Sequence, residues 1–207
     1  MNRRLEWRDV DLALACRATR PLGVQCSRRA AVALVLRESE GELALLFVRR
    51  AEHPEDPWSG HMAFPGGRAE PGDRDLLATS VRETLEETGL DLDADGQALG
   101  ALDELQAMLS GGPVDLSITP YVFRLRTQRA FALGDEVVSA HWMGLDTLIA
   151  PESHDTFEVD LLGIQRVLPC LRMDGQLIWG LTYRMFGDLA ERLRLTREQG
   201  QPESEKA

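Results

Sequence analysis

The amino-acid sequence predicts an α+β fold. Apolar runs of strand length lie on both sides of a strongly helical segment, and a second helical segment comes near the end, so strands and helices do not alternate steadily. With 207 residues, 43% of them hydrophobic, the chain can bury a sizeable core. We expect one main domain over 26–197, preceded by an N-terminal arm or helix over 1–25 and followed by a polar tail over 198–207.

The charge balance limits the partners of the protein. Asp and Glu number 34 against 23 Lys and Arg, a net charge of −11, whereas proteins that coat nucleic acid need a basic footprint. The longest wholly apolar run, Ala30–Leu36, is much shorter than the roughly 20 residues of a membrane-spanning helix. Three cysteines, widely spaced and odd in number, are typical of reduced, buried thiols. The sequence therefore predicts a cytoplasmic protein with a small-molecule partner and neither nucleic acid nor membrane.

The first half of the chain predicts a hairpin followed by a loop. Ala30–Leu36 is a continuous apolar run typical of a buried strand, and Leu43–Arg49 is its hairpin partner. Residues 51–60 are rich in proline and acidic residues and predict an exposed loop. A short strand at His61–Phe64 then stops at a Pro-Gly-Gly turn.

A helix is predicted over Arg74–Thr88. Leu77, Val81, Leu85 and Thr88 recur at helical spacing, so we expect this stripe to pack the helix on a sheet. Gly89 stands where a helix C-terminal cap belongs.

The second half predicts short strands, then a last helix over Leu181–Arg194. Asp174-Gly175 is a hairpin signal between two of the strands. A short helix is expected near 145–149, and residues 5–17 suit a short helix or a mobile arm equally well. The strands are predicted at 99–102, 117–125, 139–143, 167–172 and 176–179.

Three carboxylates share one surface of the predicted helix at Arg74–Thr88. Glu83 lies three residues before Glu86 and four before Glu87, a spacing at which like charges repel by roughly 0.2–0.5 kcal/mol per pair. Clustered carboxylate oxygens suit Mg²⁺ or Mn²⁺. Arg82 can orient one carboxylate, and the Gly66-Gly67 turn can aim a carbonyl at a cation. A solvated acidic face is the alternative, but it leaves the glycine turn unexplained.

This segment resembles the motif of the Nudix hydrolase family, G-x5-E-x7-R-E-U-x-E-E-x-G-U, where U is a bulky apolar residue. Asp73 stands where the motif has Glu, eight residues rather than seven separate it from Arg82, and Thr84 replaces an apolar residue. The resemblance implies a Nudix-like α/β/α sandwich, a central mixed β-sheet flanked by helices. The matching residues are Gly67, Arg82, Glu83, Glu86, Glu87, Gly89 and Leu90.

Further segments resemble the coenzyme A diphosphatase branch of this family. They are Ala63–Gly67, Thr119–Val122 and Ile178–Thr182. The branch has a His-x-Gly before its Phe-Pro-Gly-Gly, and here the corresponding residues read Trp58-Ser59-Gly60-His61. The resemblance implies cleavage of coenzyme A or acyl-coenzyme A to adenosine 3′,5′-bisphosphate and a phosphopantetheine.

The resemblance also implies the site residues. Glu83, Glu86, Glu87 and a Gly67 carbonyl would hold Mg²⁺ or Mn²⁺, and Glu83, oriented by Arg82, would act in catalysis together with Glu86 and Glu87. Two further groups are predicted from the residues themselves, Glu136 as an extra catalytic carboxylate from a distant loop and Arg49, Arg68 and Gly67 as substrate-binding residues, with Arg50 as a further candidate. The alternatives are a loop acid near a strand start for Glu136 and surface positions for the arginines.

Several alternatives stay open. A Nudix diphosphatase for ADP-ribose, NADH or dinucleotide polyphosphates fits the same motif, and so does a catalytically silent nucleotide-binding module, although all three helix glutamates are retained. Many relatives are homodimers, but no segment identifies an interface. His61 and Trp179 are expected to be structural, and Trp58 suits either a substrate cover or a loop anchor.

Overall fold

The computed structural model describes residues 3–52, 59–109, 112–127, 129–161 and 163–200. Within these ranges the chain forms an eight-stranded mixed sheet and a three-stranded sheet, with helices on both faces of the larger one. The predicted α+β sandwich is therefore confirmed. The helices are α1 (Trp7–Ala15), α2 (Leu76–Thr88), α3 (Leu92–Asp95), α4 (Leu145–Ile149) and α5 (Gly180–Gly200), and the strands are β1 (Arg28–Ser39), β2 (Glu42–Arg50), β3 (Met62–Ala63), β4 (Gly66–Arg68), β5 (Gly96–Ala101), β6 (Leu105–Leu109), β7 (Gly112–Leu125), β8 (Val137–Gly144), β9 (His154–Leu161), β10 (Ile164–Met173) and β11 (Gln176–Trp179).

Strand β1 is the centre of the larger sheet. It pairs with β7 in parallel and with β2 and β4 in antiparallel fashion, and the main strand order is β3-β2-β1-β7-β5. Leu34 and Leu36 belong to one apolar cluster, whereas Ala33 and Val35 belong to another. Alternate side chains thus bury both faces, which explains why this strand reads as a continuous apolar run.

The larger core lies on the side of α1 and α5. Val10 and Ala13 of α1 and Phe186 and Leu189 of α5 are buried in one cluster with the even-numbered residues of β1. Residues 7–15 are therefore a packed helix, which decides between the two alternatives for this segment. The predicted boundaries at 25 and 197 stay predictions, although α5 continues to Gly200.

Helix α2 packs on the sheet through part of the predicted stripe, because Leu77 and Val81 contact the smaller apolar cluster and Thr88 is buried. Leu85 is 46% exposed, whereas Thr84, Glu87 and Thr88 are buried. Each threonine satisfies its own hydroxyl, since Thr84 Oγ1 donates to the Ser80 carbonyl at 2.7 Å and Thr88 Oγ1 donates to the Thr84 carbonyl at 2.6 Å. The predicted stripe was wrong at Leu85 because small, internally bonded side chains let the helix lie close to the sheet.

The ends of α2 are set by two residues. Asp75 caps the helix by accepting the Ala78 N–H at 2.7 Å, so the helix begins at Leu76 rather than at the predicted Arg74. Gly89 ends it as predicted, in the left-handed conformation at φ 74°.

Other departures from the predictions are local. Gly66–Arg68 is a strand paired with β1 rather than a turn, and β6, β9 and α3 were not predicted. Cys16 is exposed and Cys26 half-buried, so only Cys170 is the expected buried thiol. Most of the predicted loop over 51–60, including Trp58, lies outside the described residues, and so do residues 201–207. Among the described helices, none has the length and apolarity to cross a membrane.

Candidate active site

Two carboxylates of α2 lie against the glycine strand β4. The backbone N–H of Gly66 donates to Glu87 Oε2 at 3.0 Å. A Cβ atom on Gly67 would lie 2.6 Å from Oε2 of Glu83, and one on Gly66, at φ 151°, would lie 2.6 Å from the Cα of Val32. Only glycine therefore allows this strand to fit between β1 and the carboxylates.

Arg82 joins the carboxylates of the motif. Its Nη1 donates to Glu83 Oε1 and to Glu86 Oε2, both at 3.0 Å, and its Nη2 donates to the Arg68 carbonyl at 3.0 Å. The guanidinium thus ties α2 to β4 and fixes the orientation of Glu83.

Asp73 supplies the remaining anchor of Arg82. Its two carboxylate oxygens accept Arg82 Nε at 3.0 Å and Nη2 at 3.1 Å, and Oδ2 also accepts Thr79 Oγ1 at 2.8 Å. The pKa of Asp73 is held well below its usual range, first by the Arg82 hydrogen bond and also by the Glu70 backbone N–H. The loop between Asp73 and Arg82 is one residue longer than in the motif, and it still allows the two side chains to form an ion pair. The place of Asp73 at the acidic position of the motif was the sequence signal for this pair.

Glu87 is a buried carboxylate. Its side chain is 5% exposed, and burial raises its pKa to about 8 against the lowering effects of the Gly66 N–H and of Arg50. Burial also raises the pKa of Glu83, while Arg82 opposes that shift. A positive charge bound next to Glu83 and Glu87 would therefore be stabilised by these two carboxylates.

Glu136 belongs to the electrostatic surroundings of these carboxylates. Its negative charge raises the pKa values of both Glu83 and Glu87, after larger contributions from burial. Gly134 N donates to the Glu87 carbonyl at 3.1 Å, and the Glu136 carbonyl accepts the Ala51 N–H at 2.8 Å. The loop before β8 thus packs on the end of α2 and brings the distant Glu136 to the site.

The predicted arginines differ in their positions. Arg50, which follows the predicted Arg49, lies with Nη1 3.8 Å from Glu87 Oε1. Arg49 is exposed, and no described contact joins it to the carboxylates. Arg68 is exposed directly after Gly67 and offers its carbonyl to Arg82. The assignment of Arg49 and Arg68 to substrate binding stays a prediction.

The donors present fit a divalent cation, with one rearrangement. Glu83, Glu87 and the strand at Gly67 are close together, but Glu86 is 56% exposed and turned toward Arg82. In the part of the chain that the structure describes, no three Asp, Glu, His or Cys side chains converge as they stand. The buried, destabilised carboxylates provide the charge that a hard cation needs, and Glu86 must rotate to join them.

The aromatic residues near β3 form a structural group. The ring of His61 lies 4.9 Å from that of Trp179, which also contacts Phe157 at 5.1 Å. Thr182 Oγ1 donates to the Met62 carbonyl at 3.0 Å and ties the start of α5 to β3.

Comparison with known proteins identifies the family. The family model described as the NUDIX domain matches residues 27–162. The chain therefore belongs to the Nudix family, and the prediction of a Nudix hydrolase is confirmed at that level. It is similar to an uncharacterized Nudix hydrolase of Yersinia pestis, NudL, with 30% identity over 82% of this chain and 81% of that protein.

Other similarities agree with this assignment. An uncharacterized protein of Schizosaccharomyces pombe, C14C4.10c, is 37% identical over 56% of this chain, but the match spans only 36% of that protein. The NUDIX domain of Shewanella oneidensis NrtR, solved as a cocrystal with ADP ribose, superposes with a TM-score of 0.52 at 18% identity, over 83% of this chain and 90% of that one. The second similarity shows the fold alone.

Proposed function

We propose that this protein hydrolyses the diphosphate bond of coenzyme A or an acyl-coenzyme A with the help of Mg²⁺ or Mn²⁺. The observation that carries the chemistry is the placement of Glu83 and Glu87 against Gly66 and Gly67, with Arg82 holding Glu83. The products would be adenosine 3′,5′-bisphosphate and a phosphopantetheine.

The segments that resemble the coenzyme A branch lie around this site, which supports the proposed substrate. Thr119 and Pro120 pair with Ala31 and Val32 of β1, and the same two residues of β1 pair with Gly67 and Gly66. Ile178–Thr182 reaches β3 through the Thr182 hydrogen bond. The branch-specific residues thus line up beside the motif.

The side chains have distinct tasks in the proposed reaction. Glu83, Glu86, Glu87 and the Gly67 carbonyl would hold the cation, which supplies neutralisation of the phosphate oxygens and a lower pKa for the attacking water. Arg82 keeps Glu83 oriented, so that this carboxylate can accept the proton of the water. Glu136 is the proposed second carboxylate, and Asp73 acts through Arg82 as a positioning residue.

The test is a substrate panel with Mg²⁺ and with Mn²⁺, the products being identified by mass. We expect coenzyme A or acetyl-coenzyme A to have the highest kcat/KM among these and ADP-ribose, NADH and a diadenosine polyphosphate. Cleavage of ADP-ribose with coenzyme A left intact would overturn the substrate and keep the chemistry. Absence of any cleavage would favour a silent binding module.

The assembly and location remain proposals of the same kind. We infer a cytoplasmic protein, since the three cysteines form no disulfide among the described residues. A homodimer is the proposed assembly, to be tested by light scattering.

A further inference from the structure

A pocket lined by three arginines opens beside the carboxylate site. Arg28, Arg29 and Arg68, with Ser27 and Ala69, enclose about 310 Å³. These five described residues, here called the arginine pocket, include no acidic side chain. In a chain with a net charge of −11, such a local concentration of positive charge needs an explanation.

Two acidic side chains, those of Asp115 and Glu104, lie next to the arginines and also accept other hydrogen bonds. The Asp115 carboxylate accepts the N–H and the hydroxyl of Ser27, so Arg28 bonds the Asp115 carbonyl instead, through Nε at 2.9 Å. Glu104 accepts the Leu22 N–H and the Thr119 hydroxyl, and its carboxylate lies 3.7 Å from the Arg29 guanidinium. Glu104 thus forms an ion pair with Arg29, and Arg68 has no ionic partner among the described residues.

The pocket adjoins the proposed site of hydrolysis through the backbone. Arg68 directly follows Gly67, and their Cα atoms are separated by about 3.8 Å, the spacing across a trans peptide bond. Ala69 N donates to the Arg29 carbonyl at 2.9 Å, which fixes the two sides of the pocket relative to each other. The proposed site of hydrolysis and the arginine pocket therefore share one strand, β4.

We propose that the arginine pocket binds a phosphate monoester on the ribose of the substrate, a group that is recognised and not cleaved. This inference rests on the proposed diphosphatase function. A phosphate dianion matches the forked donors of several guanidinium groups, and the pocket shares strand β4 with the glycines of the proposed site. Coenzyme A carries such a group at the 3′ position, whereas ADP-ribose does not.

The first test compares substrates that differ by one phosphate. We expect wild-type kcat/KM for coenzyme A to exceed that for 3′-dephospho-coenzyme A by about 10- to 100-fold, the range for hydrogen bonds to a charged group. The double variant Arg28→Gln/Arg29→Gln should lose this preference by slowing coenzyme A alone. NADPH against NADH provides the corresponding arm for a 2′-phosphate.

Two further variants make the test decisive. Arg126→Gln removes one positive charge about 30 Å away, just past the end of β7 and ten residues from the β7 partner of Arg28, and should keep the preference. Arg29→Gln alone, whose side chain is 57% exposed, serves if the double variant does not fold.

Binding without metal separates this inference from the proposed function. By calorimetry, the wild type should bind adenosine 3′,5′-bisphosphate at least about 10-fold more tightly than AMP, and the double variant should bind both equally. If no diphosphate is cleaved, the proposed function fails, but the affinities for these two ligands still show whether the arginine pocket binds the 3′-phosphate. Equal affinity of the wild type for the two ligands, or an unchanged preference in the double variant, would overturn the proposed role of the arginine pocket.

Discussion

Two arginine–carboxylate clusters lie on opposite sides of the sheet. Arg82 bonds Asp73, Glu83 and Glu86 on the α2 side, whereas Arg192 bonds Asp103 and Asp188 on the α5 side. The chemical groups are the same, but the Arg192 side chain is 1% exposed and that of Arg82 is 23% exposed.

The difference lies in what each cluster leaves available. Arg192 uses Nε, Nη1 and Nη2, with the Arg17 carbonyl as an additional acceptor, and is closed off by α1 and α5. Around Arg82, Glu86 remains exposed and Glu83 faces Gly67, which has no side chain. The Arg192 cluster is therefore suited to stabilising the fold. The Arg82 cluster leaves carboxylate oxygens at the surface, as the proposed cation site requires.

The largest expected effect separates the clusters by activity. Glu83→Gln should lower kcat/KM by about 10²- to 10⁴-fold, because the amide keeps the shape but can neither accept a proton nor carry the charge. Circular dichroism should show an intact fold. Glu191→Gln, at an exposed position of α5, is the matched control and should retain full activity; an active Glu83→Gln protein would contradict the proposed site.

The next largest effect is on stability, and it distinguishes the buried Arg192 cluster from an exposed ion pair. Arg192→Met should reduce the unfolding free energy in urea by about 3 kcal/mol, since it leaves Asp103 and Asp188 short of a buried partner. Arg172→Met removes the exposed pair with Asp155 and should cost about 0–1 kcal/mol. Equal losses in the two variants would mean that the buried cluster is not a stability element. We expect near-normal turnover from the folded fraction of both.

A third change tests the loop that carries Glu136. A Cβ on Gly134 would clash with the Glu86 carbonyl, so Gly134→Ala should cost about 1–3 kcal/mol and displace the loop. Gly187→Ala, in α5 with open space around it, should instead stabilise the protein by about 0.5–1 kcal/mol. Thermal and urea unfolding measure both. A neutral Gly134→Ala variant would show that the loop does not pack on α2.

The smallest effect concerns acid sensitivity on the α1 side. Burial alone would raise the pKa of Asp9, but hydrogen bonds from Arg3 and from the Glu6 backbone outweigh it and lower the pKa below 3.8. The resulting stability is present above that value and is lost as the pH falls toward the folded-state pKa. Asp9→Asn should therefore cost about 1 kcal/mol at pH 7, through the capping box of α1.

The pH dependence of that cost is the control. Urea unfolding at pH 7, 4 and 2.5 should show the gap between wild type and Asp9→Asn narrowing as the pH falls. A gap that stays constant would assign the cost to packing rather than to charge.

Most of the strand and helix pattern could be predicted because it follows from local apolar spacing. The apolar runs at β1 and β2 and the glycine after α2 are local signals, and each was found. Strand β9 has the alternation of Phe157, Val159 and Leu161 with acidic residues that is typical of a strand, and the prediction missed this local signal. Strand β6 was missed because it is a short pairing on β7, so its partner rather than its own composition makes it a strand.

The features of the site were likewise predictable only where they depend on local sequence. The carboxylate spacing on α2 and the motif glycines are properties of the sequence, and so is the cation chemistry they suggest. The burial of Glu87, the approach of Arg50 to Glu87 and the arrival of Glu136 near these carboxylates depend on how β2, β4 and the loop before β8 pack on α2.

The sequence by itself therefore determined the class of fold, the motif helix and the residue types at the site. Tertiary structure alone decided which carboxylates are desolvated, which arginine approaches Glu87 and where three arginines line one pocket. The physical reason is that residue spacing specifies neighbours along a helix or strand, whereas pKa values and charge complementarity depend on the groups that packing brings from distant parts of the chain.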